Sequence, residues 1–229
     1  MRLVNASAVA IAVAISIPAV HGAPGQDADR KVAGGGISVP GWQGKVDPGA
    51  AKKGLSIADS KFVQDGKSLH LTIGPAATYW NPANTAKGDY TVKASFKEPK
   101  MSTDHPHPYG LFIGGTKLDS DEQSFVYCVA YGDGTFLVRG FNGATVTTVA
   151  KRQPNAAVNK AAGDGSVTNA ISWTVKGNRA ECAINGTVVA GFDKTELVGP
   201  GKLESTDGIY GLRVSHNLDV IVSDFGMAK

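Results

Sequence analysis

Residues 125–143 read FVYCVAYGDGTFLVRGFNG, and this stretch decides the fold class. Two apolar runs, 125–131 and 135–141, flank a Gly-Asp-Gly loop. Gly134 can take the left-handed conformation that closes a three-residue hairpin loop. Asn142-Gly143 then marks another tight turn. The stretch therefore predicts antiparallel strands joined by short turns.

The register of this hairpin sorts its side chains into two faces. The short loop places Cys128 opposite Val138 and Tyr127 opposite Arg139. One face is compact and non-polar, as the core of a β-sandwich requires: Val126, Cys128, Ala130, Phe136 and Val138. The other face is aromatic with one arginine: Phe125, Tyr127, Val129, Tyr131, Leu137, Arg139 and Phe141. Because no helix is predicted that could form a third layer, we interpret the aromatic face as the lining of a groove.

A second meander is predicted between residues 171 and 192, where Gly-Asn and Asn-Gly pairs mark two turns. Its register puts Cys182 on the core face, opposite Trp173 on one side and Val189 on the other. Cys128 also points inward, but the two cysteines do not face each other within a ladder. We therefore favour free buried thiols, which act as small hydrophobes. A disulfide would require contact across the core or between neighbouring edges.

The composition agrees with an all-β protein. Glycine contributes 29 of 229 residues, about twice its ordinary use. Short strands alternate with turn signals throughout, and no long helical pattern occurs. We predict a jelly-roll sandwich of two antiparallel sheets in a single domain, residues 37–229. The formal net charge of +3 gives no indication of a nucleic-acid partner.

The N-terminus predicts export. Arg2 precedes an apolar run of about 13 residues, the length of a signal-peptide core and short for a membrane span. We predict a signal peptide at 1–22, a flexible polar leader at 23–36, and a secreted or periplasmic protein that is not inserted in a membrane after cleavage. An uncleaved N-terminal anchor is the alternative.

Polar motifs in the loops have two interpretations each. His105 and His107 could supply imidazoles to a metal, but a solvated proline-rich loop is favoured. Asp119, Asp121 and Glu122 could supply the paired carboxyl groups of a glycosidase or only make the loop soluble. Asp133 and Asp164 suit ordinary turns better than calcium loops. We expect no metal or cofactor, and the only candidates for catalytic residues are Asp119 and Glu122.

Four segments carry a resemblance to a known superfamily: HPYGLFIGG (107–115), FVYCVAYGDGTFLVRGFNG (125–143), AECAINGTVVAGF (180–192) and GIYGLRVSHNLDVIVSDFGM (208–227). They resemble the concanavalin A-like lectins and glucanases, in particular secreted bacterial domains of the laminin-G-like and 3-keto-disaccharide hydrolase type. The resemblance implies a jelly roll whose concave sheet binds glycans. The Glu-x-Asp-x-x-Glu string of one glucanase family does not occur in this sequence.

Three classes of function follow: a glycan-binding domain without evident catalysis, a glycoside-processing hydrolase that uses the loop carboxylates, and a structural or protein-interaction domain with no small ligand. For the first class, sugars stack on aromatic rings and pair with arginine. The predicted partner is an oligo- or polysaccharide, bound weakly because a groove retains water. The predicted ligand-binding residues are Phe125, Tyr127, Tyr131, Arg139 and Phe141, with Arg213 and His216 as neighbours and Trp80, on the loop 74–89, closing one end.

Overall fold

The computed structural model describes residues 27–228 as a two-sheet β-sandwich, which confirms the predicted fold class. The predicted signal peptide lies outside the described residues. Strands are β1 Gly36–Ile37, β2 Gln43–Val46, β3 Lys61–Asp65, β4 Ser68–Thr72, β5 Ala77–Ala86, β6 Tyr90–Glu98, β7 Pro108–Thr116, β8 Ser124–Tyr131, β9 Thr135–Asn142, β10 Thr145–Pro154, β11 Val167–Lys176, β12 Arg179–Ile184, β13 Thr187–Asp193, β14 Gly208–Val214 and β15 Asp219–Met227. Short helical turns are α1 Pro48–Ala51, the 3₁₀ turn Ile57–Asp59 and α2 Lys194–Leu197. Among the residues described, no helix has the length and apolar character needed to span a membrane.

The two sheets pack face to face around one apolar core. The eight-stranded sheet has the order β1-β3-β4-β15-β6-β11-β12-β13, and the seven-stranded sheet has the order β10-β9-β8-β7-β14-β5-β2. Neighbouring strands are antiparallel except for the short pair β1 and β3. The largest fully buried core side chains include Trp173, Tyr79, Tyr109, Phe62 and Phe96. Consecutive strands are often in opposite sheets, as with β4 and β5 or β10 and β11, which is the double-sheet arrangement of a jelly roll.

The register predicted for the central hairpin is confirmed. Cys128 pairs with Val138 and Tyr127 with Arg139. Gly134 has a φ of 89°, the left-handed conformation that the three-residue loop needs. Strand β8 is buried along its whole length, so both of its faces are covered.

The register of the second meander is confirmed on one side of β12 and wrong on the other. Cys182 pairs with Trp173 as predicted. Across the next turn it pairs with Ala190 rather than Val189, because the ladder shifts by one residue between Cys182 and Ala183. A β-bulge inserts one residue without disturbing the turn, so the turn type alone could not reveal it.

The expectation of two free thiols is wrong, because Cys128 and Cys182 form a disulfide. The bond joins β8 of one sheet to β12 of the other, through the core. Its Cα atoms are 6.4 Å apart, closer than the usual spacing of about 10 Å between packed sheets. Both cysteines were correctly placed on inward faces, but strand register within a sheet does not say which inward residues meet across the core.

Two segments predicted as loops have more structure. Residues 77–86, within the predicted loop 74–89, form the long strand β5. In the predicted leader, the amide of Val32 donates to Asp59 O at 3.0 Å and that of Arg30 to Asn217 Oδ1 at 2.9 Å. The Arg30 guanidinium also donates to two main-chain carbonyls, Ile73 O and Leu218 O. Residues 30–32 are therefore fixed to the sandwich.

Candidate functional site

A cavity of about 520 Å³ opens on the outer face of the seven-stranded sheet. It brings together five of the predicted ligand-binding residues: Tyr127, Tyr131, Arg139, Arg213 and His216. The remaining lining residues are Asp47, Ala76, Pro106, His107, Pro108, Val129, Leu137, Arg152 and Ser215. The wall thus combines aromatic rings with cationic and imidazole groups.

The aromatic face as a whole is packed and does not form an open groove, which corrects the prediction. Its rings belong to a second apolar cluster: Trp80, Phe112, Leu118, Phe125, Tyr127, Val129, Tyr131, Leu137 and Phe141. The Phe125 and Phe141 rings stack with centroids 4.9 Å apart. Both side chains are almost completely buried, and each ring lies beside that of Tyr127 with centroids 6.0 Å apart.

The loop between β7 and β8 helps to cover this cluster. Its Leu118 is 3% exposed and packs among the rings. Lys45, on β2 at the far edge of the sheet, donates to Ser120 O and lies 3.2 Å from Asp121 Oδ1. The covering loop therefore lies across the sheet, an arrangement that strand periodicity does not encode.

The carboxylates considered for catalysis lie on the outside of that loop. Asp119 and Glu122 are exposed, and Lys117 Nζ lies 2.9 Å from Glu122 Oε2. The hydrogen bond from Lys117 and its charge hold the pKa of Glu122 below its usual value. A general acid in glycoside hydrolysis needs a raised pKa, so this environment favours an ionised surface group.

Trp80 was predicted to close one end of the cavity, but it is not among the residues that line it. It lies on β5, where it pairs with Gln43 on one side and Gly211 on the other. Trp80 is 3% exposed. Trp80 therefore belongs to the packed cluster.

Arg213 forms a buried ion pair at the cavity wall. Its two terminal nitrogens each lie 2.6 Å from an oxygen of Asp47. The guanidinium carbon is 5.3 Å from the centre of the Tyr127 ring. Burial disfavours the charge of Arg213, but Asp47 and Tyr127 outweigh it and the pKa is raised. Arg213 is thereby a fixed cation that holds Tyr127 in place.

Arg139 and Arg152 flank the tyrosines on the solvent side. Arg139 is exposed, pairs with Tyr127 across the ladder, and makes no ion pair with any residue in 27–228. The Arg152 guanidinium stacks 3.8 Å from the Tyr131 ring centre, and its Nη2 lies 2.6 Å from Asp133. Sequence reasoning missed Arg152, because β10 is mostly exposed and lacks the alternation that marks a strand.

Two histidines line the opposite end of the cavity. The His107 and His216 ring centres are 4.1 Å apart, and His107 Nε2 lies 3.1 Å from Asp27 Oδ2. Burial, with a smaller contribution from His216, lowers the pKa of His107 although Asp27 opposes this. The prediction of a solvated loop holds for His105, which is exposed, and is wrong for His107, which is 8% exposed.

Comparisons with known proteins identify the fold. No protein-family model and no curated protein matches the sequence. The carbohydrate-binding module CBM66 from Bacillus subtilis superposes with a TM-score of 0.56 at 9% identity, covering 85% of this chain and 99% of that one. A Bacillus subtilis protein of unknown function with a galectin-like fold gives 0.54 at 13% identity, covering 81% and 88%. The laminarinase catalytic domain from Thermotoga maritima gives 0.54 at 13%, covering 85% and 94%.

These likenesses place the chain in the β-sandwich fold that lectins and glucanases share, in agreement with the resemblance of its sequence segments to concanavalin A-like proteins. Among these three structures are a binding module and a catalytic domain on the same sandwich. The fold therefore does not choose between binding and catalysis.

Proposed function

We propose that this protein is a secreted domain that binds a glycan in the cavity beside Tyr127 and Tyr131. The observation that carries the proposal is the composition of that cavity: two tyrosines and three arginines meet around about 520 Å³. Sugars offer apolar C–H faces to aromatic rings and hydroxyl or acid groups to hydrogen-bond donors. The cavity supplies both kinds of partner.

The three arginines have different roles in this proposal. Arg213 and Arg152 are already paired with Asp47 and Asp133, so their main effect is to hold the tyrosine rings. Arg139 keeps its guanidinium directed to solvent without an ion-pair partner among residues 27–228. It is the group best suited to bind an acid of the ligand with two donors. We therefore favour a polysaccharide that carries carboxylates, such as a uronic-acid polymer, over a neutral one.

The test is affinity electrophoresis and calorimetry with neutral and uronic-acid-containing polysaccharides. Arg139→Ala should weaken binding about 10- to 100-fold, because a charge-assisted hydrogen bond contributes roughly 1.5–3 kcal/mol. Arg179→Ala is the matched control, since Arg179 is an exposed arginine on a strand of the other sheet. Its binding should equal that of the wild type.

Two outcomes would contradict the proposal at different levels. Equal binding by the Arg139 and Arg179 variants would place the glycan elsewhere. A wild-type protein that binds no glycan but retains a protein from pull-down would identify an interaction domain instead.

Export is part of the same proposal. The Cys128–Cys182 disulfide supports it, because disulfides form and persist mainly in oxidising compartments. The narrower assignment to laminin-G-like or 3-keto-disaccharide hydrolase-type domains rests on the sequence segments quoted above. Protein collected outside the cytoplasm should begin at Ala23. An intact N-terminus would favour the anchor.

A further inference from the structure

Three side chains with metal-binding atoms converge at the histidine end of the cavity. Asp27, His107 and His216 each contribute one such atom, and these atoms lie within 4.8 Å of one another. His107 is buried, with its side chain 10% exposed. Two imidazoles and a carboxylate at this distance are distinct from the aromatic and arginine groups that carry the proposed sugar site.

The fold itself brings the two histidines together. His107 comes directly before β7 and His216 follows the end of β14, and these strands are neighbours in the seven-stranded sheet. The amide of Ser215 donates to Pro108 O at 2.9 Å, which holds the strand ends side by side. The rings therefore meet although they are more than 100 residues apart in the sequence.

The third residue is positioned by the chain segment that precedes β1. Asn217, next to His216, donates through Nδ2 to Ala28 O at 2.9 Å and accepts from the Arg30 amide at 2.9 Å. These bonds place Asp27 against His107. The segment is thus anchored beside the histidines by two hydrogen bonds between the Asn217 side chain and main-chain atoms, neither of which uses an atom of the metal-binding groups.

We propose that Asp27, His107 and His216 form a binding site for a divalent transition-metal ion, with Zn²⁺ as the best-suited ion. Two imidazole nitrogens and one carboxylate oxygen form a donor set that Zn²⁺ accepts, whereas Ca²⁺ prefers oxygen ligands alone. Ligands about 2.0–2.1 Å from a tetrahedral zinc lie about 3.3 Å apart. Small side-chain rotations would bring the three groups to that spacing.

Asp29 lies beside His216, where its carboxylate can orient the imidazole ring. Its Oδ1 lies 3.0 Å from His216 Nδ1, a buried nitrogen that has no hydrogen bond of good geometry within residues 27–228. Carboxylates beside the second ring nitrogen commonly orient liganding histidines. Three protein ligands leave a fourth position of a tetrahedral ion free, and both histidines line the cavity.

A second histidine–carboxylate pair, His70 and Asp219, serves as a comparison for the proposed metal site. His70 Nε2 lies 2.5 Å from Asp219 Oδ1. These residues belong to no cluster of three potential metal ligands in the described part of the chain. If pairing with a carboxylate were sufficient to bind zinc, His70 would bind it as well.

The test is calorimetric titration of the metal-stripped full-length protein with ZnCl₂, without any sugar, so that it is independent of the glycan proposal. We expect one ion per chain at the site. His107→Ala, His216→Ala and Asp27→Asn should each weaken zinc binding at least tenfold, whereas His70→Ala and His105→Ala should leave it unchanged. CaCl₂ serves as the contrasting probe and should bind at least tenfold more weakly.

Circular dichroism shows whether each variant is folded, so that a loss of zinc binding can be distinguished from unfolding. Asp27 has a 40% exposed side chain, so Asp27→Asn should fold normally even if His107→Ala does not. Absence of zinc binding by the wild type would overturn the proposal. So would an equal loss of binding in the His70 or His105 controls, or unchanged binding in folded Asp27→Asn and His216→Ala.

Discussion

Glu98 is an acidic residue in a buried position. It ends β6, whose inward positions are Tyr90, Val92, Ala94 and Phe96, and the same alternation points Glu98 inward. The residue is 2% exposed, and its Oε2 has no hydrogen-bond partner among the described residues. Burial raises the pKa of Glu98 from 4.5 to about 7. The folded state therefore favours the protonated form.

This predicts a stability that falls as the pH rises. Between pH 4.5 and about 7 the folded protein keeps a proton on Glu98 that the unfolded chain has released. The folded state binds more protons in this range, so its stability decreases with increasing pH. Glu98→Gln keeps the shape without the charge. We expect it to raise the free energy of unfolding on the order of 2 kcal/mol at about pH 8, and to have little effect at about pH 4.

Urea unfolding across this pH range measures the effect. Glu181→Gln, on the outer face of β12, is the control and should not alter the pH profile. If the free energy of unfolding of Glu98→Gln depends on pH in the same way as that of the wild type, the prediction is wrong and Glu98 is ionised in the folded protein.

At the scale of elements, the β7–β8 loop determines how much of the aromatic face is accessible. The alternation in β8 correctly separated two apolar faces, but the loop 117–123 gives no periodic signal. Its one inserted apolar residue, Leu118, lies in the second cluster beside Phe125 and Phe112. Leu118 thus helps to cover a face that strand alternation alone predicts to be open.

Leu118→Ala should lower the free energy of unfolding by about 2 kcal/mol, because it leaves a cavity beside buried rings. Asp119→Ala, at the next position but exposed, should change it by less than about 0.5 kcal/mol. Thermal and denaturant unfolding compare the two variants. Equal effects would mean that the loop does not pack on the cluster.

At the scale of the whole molecule, the Cys128–Cys182 bond connects the two sheets through the core. It closes a chain segment with a sequence separation of 54 residues, and a cross-link of this kind restricts the unfolded chain. The double variant Cys128→Ala, Cys182→Ala should lose about 2–5 kcal/mol of unfolding free energy.

Reduction of the unmodified protein is the internal comparison for this prediction. Reduction should lower the free energy of unfolding by a similar amount, and thiol alkylation should then label both cysteines. Complete labelling without a reductant, or full stability of the double variant, would contradict a structural disulfide.

Local sequence determined most of the strands, the tight turns and the register of the central hairpin, but not β5. These depend on two-residue alternation and on residues such as Gly134 that tolerate positive φ, which act over a few neighbours. The pairing of Tyr127 with Arg139 follows from the same local rule. This much of the fold and of the candidate site could be predicted.

Only the tertiary structure decided which faces and side chains meet. The Cys128–Cys182 bond depends on how two sheets align, and the burial of Phe125 and Trp80 depends on what covers them. The approach of Asp27 to His107 depends on strand order and on a segment anchored far along the chain. Such contacts join residues that are distant in sequence, so no local periodicity carries them.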